Sequence, residues 1–257
     1  MDKLFDINGK IALVTGGSRG IGEMIAAGFV ERGVKTYISS RKAEACDETA
    51  SRLSEGQGEC VSIPVDLSSI EGVQYLAAEL ATREDRLDIL VNNAGAVWGE
   101  PFQAFPEGGW DKVLNVNLKS PFFLTQKLLP LLEAAGSHDD PARVINIGSI
   151  DGLHVTDLPT FSYGASKAGL HHLTRILALH LAGRHINVNA IAPGPFATKM
   201  MAHTLKTAGD KIINRVPRKR IGQAEDMAGA AIFLASMASS YVTGVVLPVD
   251  GGLTGTL

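Results

Sequence analysis

Tyr163 and Lys167 stand four residues apart in the stretch FSYGASKAGL. On a helix this spacing places both side chains on one face. A tyrosine is protonated at neutral pH and can act as a general acid, and a cation within about 4–6 Å lowers the pKa of such an acid by about 1–3 units. The pair therefore predicts proton transfer between the phenol and a carbonyl or alcohol oxygen. Two unrelated side chains, one packed and one solvated, are the alternative.

Ser149 follows the apolar run RVINIG, which predicts a strand over 143–148. In an open α/β sheet, ligands bind beyond the carboxyl ends of the strands, so Ser149 would lie at the ligand-binding edge. Its hydroxyl could donate a hydrogen bond to an oxygen that gains negative charge during carbonyl reduction. A simple cap at the strand end is the alternative.

Short apolar runs rich in β-forming residues alternate with amphipathic segments along the whole chain. Strands are predicted at 11–14, 34–39, 60–65, 88–91, 143–148, 186–191 and 245–249. Continuous apolar runs are typical of strands covered on both faces, and strand–helix alternation indicates a doubly wound parallel sheet. We therefore predict a single α/β domain over residues 1–257, a Rossmann-type sheet of about seven parallel strands with helices on both faces. Long helices are expected at 110–134 and 160–183.

The composition excludes several classes of function. A formal net charge of −3 leaves no basic footprint for nucleic acid. No apolar run reaches the roughly 18 residues that span a bilayer, and the N-terminus lacks a signal-peptide pattern. Cys46 and Cys60 are too few for a disulfide framework. The sequence thus predicts a soluble cytoplasmic protein with no nucleic-acid or membrane partner, and no metal site is expected.

The first predicted strand leads directly into the glycine-rich turn TGGSRGIG, residues 15–22. The G-x3-G-x-G spacing differs from the G-x-G-x-x-G fingerprint, but glycines still permit a tight turn and close backbone approach, and the following helix N-terminus favours a pyrophosphate. The candidate dinucleotide-binding residues of the turn are Gly16, Ser18, Arg19, Gly20, Ile21 and Gly22. An ordinary glycine-rich turn is the alternative.

The end of the second predicted strand indicates which dinucleotide is bound. It reads ISSRK, with Arg41 and no carboxylate, whereas an NAD site usually has Asp or Glu there for the ribose 2′-hydroxyl. Arg19 adds a second cation, and two guanidiniums can bind a 2′-phosphate through charge-assisted hydrogen bonds. The sequence therefore favours NADP(H) over NAD(H). If Arg41 is merely a solvated surface residue, the preference rests on Arg19 alone.

Two further loops follow predicted strands at the same edge. VDLSS places Asp66 and Leu67 after the third strand, where they could meet an adenine, and LVNNAG places Asn93 and Gly95 after the fourth. Asn-Asn-Ala-Gly could equally be a structural turn, because Asn and Gly tolerate the dihedral angles that turns require. We expect it to serve both purposes.

Taken in order, TGGSRGIG, NNAG, NVNL, INIGSI, YGASK and IAPG resemble the motifs of the short-chain dehydrogenase/reductase family, and the resemblance runs through the terminal PVDGG. It implies an oxidoreductase with a catalytic tetrad of Asn117, Ser149, Tyr163 and Lys167. It also implies that Asn117 anchors a water that relays protons to Lys167, and that Lys167 holds the cofactor ribose beside Tyr163. For Asn117, a helix residue bonded to the backbone is the alternative.

The same resemblance assigns PGPFAT, residues 193–198, to the nicotinamide end of the cofactor. It implies contacts from Pro193, Gly194 and Thr198. Family members usually pair helices such as those at 110–134 and 160–183, so a homodimer or homotetramer is implied as well.

At finer grain, KIALVTGGSRGIG, LDILVNNAG, PARVINIGS and HINVNAIAPG are similar to the rhamnolipid-biosynthesis type of 3-oxoacyl reductase. This similarity implies NADPH-dependent reduction of a 3-oxoacyl group to the 3-hydroxyacyl product. Relatives that use an acyl carrier protein place basic residues beside the cleft, and Arg184 matches one such position. Asp139 and Asp140 on the facing loop depart from a basic docking surface, so an acyl carrier protein, a CoA ester and a small ketone all stay open.

The segment 200–213 falls where the family has its mobile substrate lid, and we expect it to be apolar and irregular. The apolar side chains that could line an acyl-accepting cleft are Trp98, Phe196, Met200, Met201 and Leu205. His154 and Asp157, near Ser149, could instead meet a hydroxylated substrate.

Two other classes of function stay open. One is a dehydrogenase for sugars, polyols or steroids, with the same active site under a different lid. The other is a non-catalytic NADP-binding sensor on the same fold, which would be expected to have lost the tyrosine or the lysine.

The basic run RVPRKR at 215–220 could assist docking, or it could be a solvated face.

Overall fold

All seven predicted strands are present in the computed structural model, which describes residues 2–199 and 201–256, apart from the side chains of residues 2, 203 and 204. They are β1 (Ile11–Thr15), β2 (Lys35–Ser39), β3 (Cys60–Ser62), β4 (Ile89–Asn92), β5 (Ala142–Ile147), β6 (Ile186–Pro193) and β7 (Val246–Val249). They form one parallel sheet in the order β3-β2-β1-β4-β5-β6-β7. The predicted Rossmann-type fold is confirmed, and its strand order reverses between β1 and β4, where such sheets bind ligands.

Helices cover both faces of this sheet. Within the described residues they are α1 (Gly20–Val30), α2 (Ala43–Leu53), α3 (Ile70–Ala81), α4 (Glu107–Leu114), α5 (Ser120–Lys127), α6 (Leu129–Ala135), α7 (Phe161–Leu181), α8 (Ala202–Arg215) and α9 (Ala224–Ala235). One apolar core packs α1, α2 and α9 against the sheet, and a second packs α3, α5, α6 and α7 on the other face. In β1, Ala12 and Val14 enter the first core and Leu13 enters the second. Burial on both faces explains the continuous apolar runs.

The helix predicted over 110–134 is interrupted in the structure. A π-helical turn, Asn115–Lys119, separates α4 from α5, and α6 is a separate helix. Pro121 and Pro130 stand near the starts of α5 and α6, and a proline has no N–H for the carbonyl four residues earlier. The helix predicted over 160–183 is found as α7.

The strand predicted over 60–65 is shorter than expected. β3 ends at Ser62, although the N–H groups of Ile63 and Val65 still bond to β2 and the residue after it. Pro64 between them cannot donate to the ladder, and this residue ends the regular pairing at the edge of the sheet.

The segment expected to be an irregular lid is instead helical over α8, with a break at Ala208, where φ is −139° and ψ is 17°. Leu205, Ile212 and Ile213 are half-buried on one side of α8, and its charged residues are exposed. This amphipathic spacing favours a surface helix. Met200, one of the candidate cleft residues, lies outside the described residues.

Cys46 and Cys60 are buried free thiols. Burial raises the pKa of the Cys60 thiol to about 12, so it stays protonated at neutral pH. In the part of the chain that the structure describes, no helix combines the length and apolarity needed to cross a bilayer.

Candidate active site

Tyr163 and Lys167 occupy the first turns of α7 and lie together, as their spacing predicts. The Lys167 ammonium is 5.7 Å from the centre of the Tyr163 ring. It is buried and donates a 2.6 Å hydrogen bond to the carbonyl of Ile147, the last residue of β5. Burial lowers the pKa of Lys167 to about 8. The hydrogen bond from Lys167 thus holds α7 against the carboxyl end of β5, and burial makes the charged form of the amine less favourable than it is in water.

Ser149 lies just beyond β5, and its side chain interacts with the Tyr163 phenol. Its hydroxyl oxygen also accepts a 3.1 Å hydrogen bond from the backbone N–H of Asp151, which fixes it at the start of the turn Ile150–Gly152. Burial raises the pKa of Tyr163 to about 12, and the interaction with Ser149 opposes this shift. The phenol is therefore held protonated beside the serine, as a proton donor must be.

Asn117 links the loop after β4 to the start of α7. Its Oδ1 accepts from the N–H of Ala96 at 2.8 Å, and its Nδ2 donates to the Ala96 carbonyl at 2.9 Å and to Ser166 Oγ at 3.0 Å. Ser166 in turn donates to the carbonyl of Tyr163 at 2.8 Å. Both amide protons of Asn117 are thus used within the protein, and the alternative weighed from the sequence, a helix residue bonded to the backbone, describes its side chain.

The glycine turn requires glycine at a position that sequence analysis did not single out. Gly16 has a φ of +66°, which glycine adopts without strain. A Cβ on Gly17 would lie 2.7 Å from Cγ2 of Ile38 in β2. The Gly17 N–H donates to the carbonyl of Ser39 at 3.2 Å and so joins the turn to the end of β2. The available signal was the second glycine directly after a buried strand.

Thr15, another residue missed from the sequence, joins the glycine turn to the loop after β4. Its hydroxyl oxygen accepts from the backbone N–H groups of Asn93 at 2.9 Å and Ala94 at 3.0 Å. The Asn93 side chain donates to the carbonyls of Thr15 at 2.8 Å and Gly16 at 3.2 Å. These hydrogen bonds hold the loop after β4 against the glycine turn, as expected if the Asn-Asn-Ala-Gly stretch is a structural turn. A threonine ending a buried strand was the signal.

Gly95, in the same loop, lies beside the reactive groups. A Cβ built there would be 3.5 Å from Asn117 Oδ1 and 3.9 Å from Lys167 Nζ. Both distances are ordinary van der Waals contacts, so Gly95 borders the amide and the ammonium without crowding either of them.

The two arginines predicted to select NADP(H) are both exposed, and no acid among the described residues pairs with either. Arg19 is the N-cap of α1 and makes no side-chain cap hydrogen bond, so the positive helix N-terminus stays available. Because Gly17 joins the turn to the end of β2, the segments that carry Arg19 and Arg41 are neighbours. Two unpaired cations beside an open helix N-terminus fit a dinucleotide that carries an extra phosphate.

Other candidate cofactor-binding residues in the first half of the chain make contacts within the protein. The Ser18 carbonyl accepts from the Thr49 hydroxyl at 3.2 Å, and Ile21 packs against the first core. Asp66 is exposed and accepts from the Ser68 N–H at 2.9 Å. Leu67 is buried in the second core. Because its side chain is buried, Leu67 could contact an adenine only through its main-chain atoms.

The loop after β6 reaches the glycine turn. Pro193 ends β6, and Gly194 packs so closely on Asp250 that a Cβ would lie 2.7 Å from the Asp250 Cα. The Thr198 methyl group is 3.4 Å from where a Cβ of Gly20 would lie. Residues 193–198 therefore border the same crevice as α1 and β5.

The residues predicted to line an acyl-accepting cleft do not all border an open cleft in the structure. Phe196 is buried in the first core, where it bridges Gly222, and so does not line an open cleft. Trp98 packs on Gly109, with the Lys112 ammonium 5.4 Å from its ring. Met201 and Leu205 are half-buried at α8.

An exposed apolar rim is formed instead by the loop after β4 and the loop that leads into α7. The Phe102 and Phe161 rings are 5.6 Å apart, and the Phe105 and Phe161 rings are 5.7 Å apart. The Glu100 N–H donates to the Pro159 carbonyl at 3.1 Å. The exposed apolar residues of these two loops, called the apolar rim below, are Val97, Phe102, Leu153, Val155, Leu158 and Phe161. Of the polar residues expected here, His154 bonds to the Ile150 carbonyl and Asp157 is exposed.

Comparisons with known proteins agree on one family. A family model described as enoyl-(acyl carrier protein) reductase matches residues 16–254. The rhamnolipids biosynthesis 3-oxoacyl-[acyl-carrier-protein] reductase of Pseudomonas aeruginosa is 50% identical over 98% of this chain and 99% of its own. The 2-dehydro-3-deoxy-D-gluconate 5-dehydrogenase of Bacillus subtilis is 40% identical over 96% of both. A solved Pseudomonas aeruginosa RhlG/NADP active-site complex superposes with a TM-score of 0.95 at 49% identity, over 99% of this chain and 100% of that one.

Proposed function

The chain belongs to the short-chain dehydrogenase/reductase family, and on that premise we propose that it uses NADPH to reduce a 3-oxoacyl thioester to the 3-hydroxyacyl product. A relative at 50% identity carries the name of such a reductase, and a structure at 49% identity is an NADP complex. The observation on this chain that carries the choice of substrate is the apolar rim beside Tyr163.

Bound NADPH would supply a hydride from C4 of its nicotinamide ring. The Tyr163 phenol donates its proton to the substrate carbonyl oxygen as negative charge develops there. Ser149 Oγ, which lies against the phenol, donates a hydrogen bond to the same oxygen. The Lys167 ammonium stabilises the phenolate that remains. Asn117 holds Ala96 and Ser166 in place and anchors, through its main chain, the water that returns a proton to Lys167.

Several groups hold the cofactor in this proposal. Arg19 and Arg41 would bind the 2′-phosphate, and the N-terminus of α1 would bind the pyrophosphate. Asp66 and the main chain of Leu67 meet the adenine. The remaining cofactor-binding residues are Gly16, Ser18, Gly20, Ile21, Gly22, Asn93, Gly95, Tyr163, Lys167, Pro193, Gly194 and Thr198.

The apolar rim suits an acyl chain better than a polyol. Val155 is 96% exposed and Phe102 is 75% exposed, and each aromatic or aliphatic side chain that an acyl chain covers removes apolar surface from water. A sugar hydroxyl would find few partners among these side chains. Because the rim residues Leu153–Phe161 lie between Ser149 and Tyr163 in the chain, a ligand that reacts at Tyr163 lies close to this rim.

A sugar or polyol dehydrogenase is the second candidate. Relatives at 40% identity include a dehydrogenase of a sugar acid. On this chain it is favoured by Asp151, which follows Ser149 in the turn and whose carboxyl pKa is raised by burial. A half-buried carboxyl that pairs with no cation among the described residues could accept a hydrogen bond from a substrate hydroxyl.

We also propose that the protein is a homo-oligomer in the cytoplasm. α5 and α7 expose apolar side chains on one face, with Ile176 42% and Phe122 36% exposed, and a second copy could cover them. The two buried free thiols suit a reducing compartment.

An acyl carrier protein is the proposed source of the thioester.

A substrate panel tests the proposed activity. NADPH consumption is measured with 3-oxoacyl thioesters of increasing chain length, a keto-sugar acid and an oxo-steroid. The highest kcat/KM is expected with a thioester. Turnover of the sugar acid with inert thioesters would establish the second candidate instead.

A further inference from the structure

A basic surface, defined by the exposed cations between residues 199 and 220, covers α8 and the turn after it. This segment holds seven lysines and arginines against a single acid, Asp210, in a chain whose formal net charge is −3. The members that form no ion pair with a described residue are Lys199, Lys206, Lys211, Arg215, Arg218 and Lys219. Arg220 is different because it pairs with Asp226. Most of this charge therefore has no ion-pair partner among the described residues.

The basic surface lies at the edge of the sheet where the active site is. The segment leaves the carboxyl end of β6 at Pro193 and returns through a backbone bridge between Phe196 and Gly222. Its first part touches the cofactor turn, since the Thr198 methyl group lies 3.4 Å from where a Cβ of Gly20 would be. β6 is the neighbour of β5, which leads to Ser149. A partner held on α8 would thus stand beside the crevice.

The charges of α8 face outward and its apolar side chains face the protein. Lys206, Lys211 and Arg215 are exposed, whereas Leu205 and Ile212 are half-buried. Clustered like charges repel one another and, in an isolated protein, gain nothing from proximity. A concentrated patch of one sign suits an oppositely charged partner.

Arg184, the docking position suggested by resemblance, is neutralised in the structure. Its guanidinium pairs with Glu133 at 2.6 Å. The loop beyond it carries Asp139, which is almost fully exposed, and Asp140, which pairs with Lys10. An acidic partner would be repelled there, which leaves α8 as the basic surface next to the crevice.

We propose that the basic surface of α8 docks an acidic acyl carrier protein, whose thioester arm then enters the crevice toward Ser149 and Tyr163. This inference rests on the proposed 3-oxoacyl reductase function and assigns its partner surface. Long-range attraction between the two proteins speeds association and weakens as salt screens it. A small uncharged thioester would be insensitive to this surface.

The test compares three carriers of one 3-oxooctanoyl thioester: a bacterial acyl carrier protein, coenzyme A and N-acetylcysteamine. The variant Lys211→Glu/Arg215→Glu reverses two exposed charges of the surface. A matched control, Arg32→Glu/Lys127→Glu, makes the same charge change at exposed residues near the C-terminal ends of α1 and α5, at the opposite edge of the sheet. Kinetics are measured at low and at high salt.

For the α8 variant we expect KM with the carrier-protein thioester to rise at least 10-fold at low salt, and its salt dependence to shrink. Turnover of the N-acetylcysteamine thioester should stay unchanged in both variants, which also shows that they fold. Unchanged carrier-protein kinetics in the α8 variant would overturn the docking surface while leaving the reductase intact. A loss confined to the CoA thioester would mean that the surface binds nucleotide phosphates instead. If wild-type protein reduces none of the three, the proposed function fails and the docking surface fails with it.

Discussion

Lys167 on α7 donates a 2.6 Å hydrogen bond to the carbonyl of Ile147, the last residue of β5. The ammonium is thereby buried at the junction between the helix that carries Tyr163 and the strand that leads to Ser149. The same bond that aligns the two reactive groups places a charge where solvent cannot stabilise it, and burial lowers the pKa of Lys167 to about 8.

This burial predicts how stability depends on pH. The lysine pKa is about 10.4 in the unfolded chain, so between pH 8 and 10 the unfolded state binds more protons and the free energy of unfolding rises with pH. The contribution is of order 3 kcal/mol for a shift of this size. Lys167→Met should remove this rise. Urea unfolding of both proteins across this window tests it, since other titrating groups are common to both; parallel pH curves would contradict the burial of a charged lysine.

Tyr163→Phe removes the proposed proton donor and leaves the ring in place. We expect kcat to fall by about 10²–10⁴-fold, the usual contribution of general acid catalysis, while NADPH still binds, as followed by fluorescence. Tyr241→Phe is the control, since Tyr241 is fully exposed. Normal turnover by the Tyr163 variant would exclude the phenol as the donor.

Arg41→Asp tests the proposed 2′-phosphate site, because it replaces an exposed cation with an anion. Its Kd for NADPH should rise at least 10-fold, because an ionic hydrogen bond is lost and a repulsion is added, whereas its Kd for NADH should change little. Arg32→Asp, at the far end of α1, should alter neither. Equal losses for both cofactors would remove Arg41 from the phosphate site.

Asn117→Ala leaves the buried Ser166 hydroxyl and the half-buried N–H and carbonyl of Ala96 without their partner. Unpaired buried groups cost about 1–3 kcal/mol each, so we expect a loss of this order in the free energy of unfolding, together with reduced kcat. Asn115→Ala in the same π-helical turn should cost less than about 0.5 kcal/mol. Equal stability of the two variants would show that Asn117 does not hold the loop.

The strands could be predicted from sequence because each central strand is buried on both faces. In β1, Ala12 and Leu13 enter opposite cores, and the resulting continuous apolar run has few alternative interpretations. The reactive pair on α7 could likewise be predicted, since the i,i+4 geometry of a helix alone brings Tyr163 and Lys167 together.

Features that depend on contacts between distant segments could not be predicted in the same way. Thr15 joins two loops 78 residues apart through its hydroxyl, and nothing near it in sequence indicates that partner. Pro121 and Pro130 are signals for helix breaks, but the apolar periodicity of the sequence continues through both prolines and predicts one helix over 110–134. Phe196 appeared to be a cleft residue because its position by Thr198 suggests the site, whereas its ring is buried against Gly222.

The central claim is that this chain transfers a hydride from NADPH to C3 of a 3-oxoacyl thioester while Tyr163 protonates the oxygen. The most direct measurement uses NADPH with both C4 hydrogens replaced by deuterium and mass spectrometry of the product, with wild-type protein and Tyr163→Phe. We predict a 3-hydroxyacyl product with one deuterium at C3 from the wild type, and almost none from the variant. An unlabelled product, a product formed equally well by the variant, or deuterium found only in an added sugar acid would contradict this account.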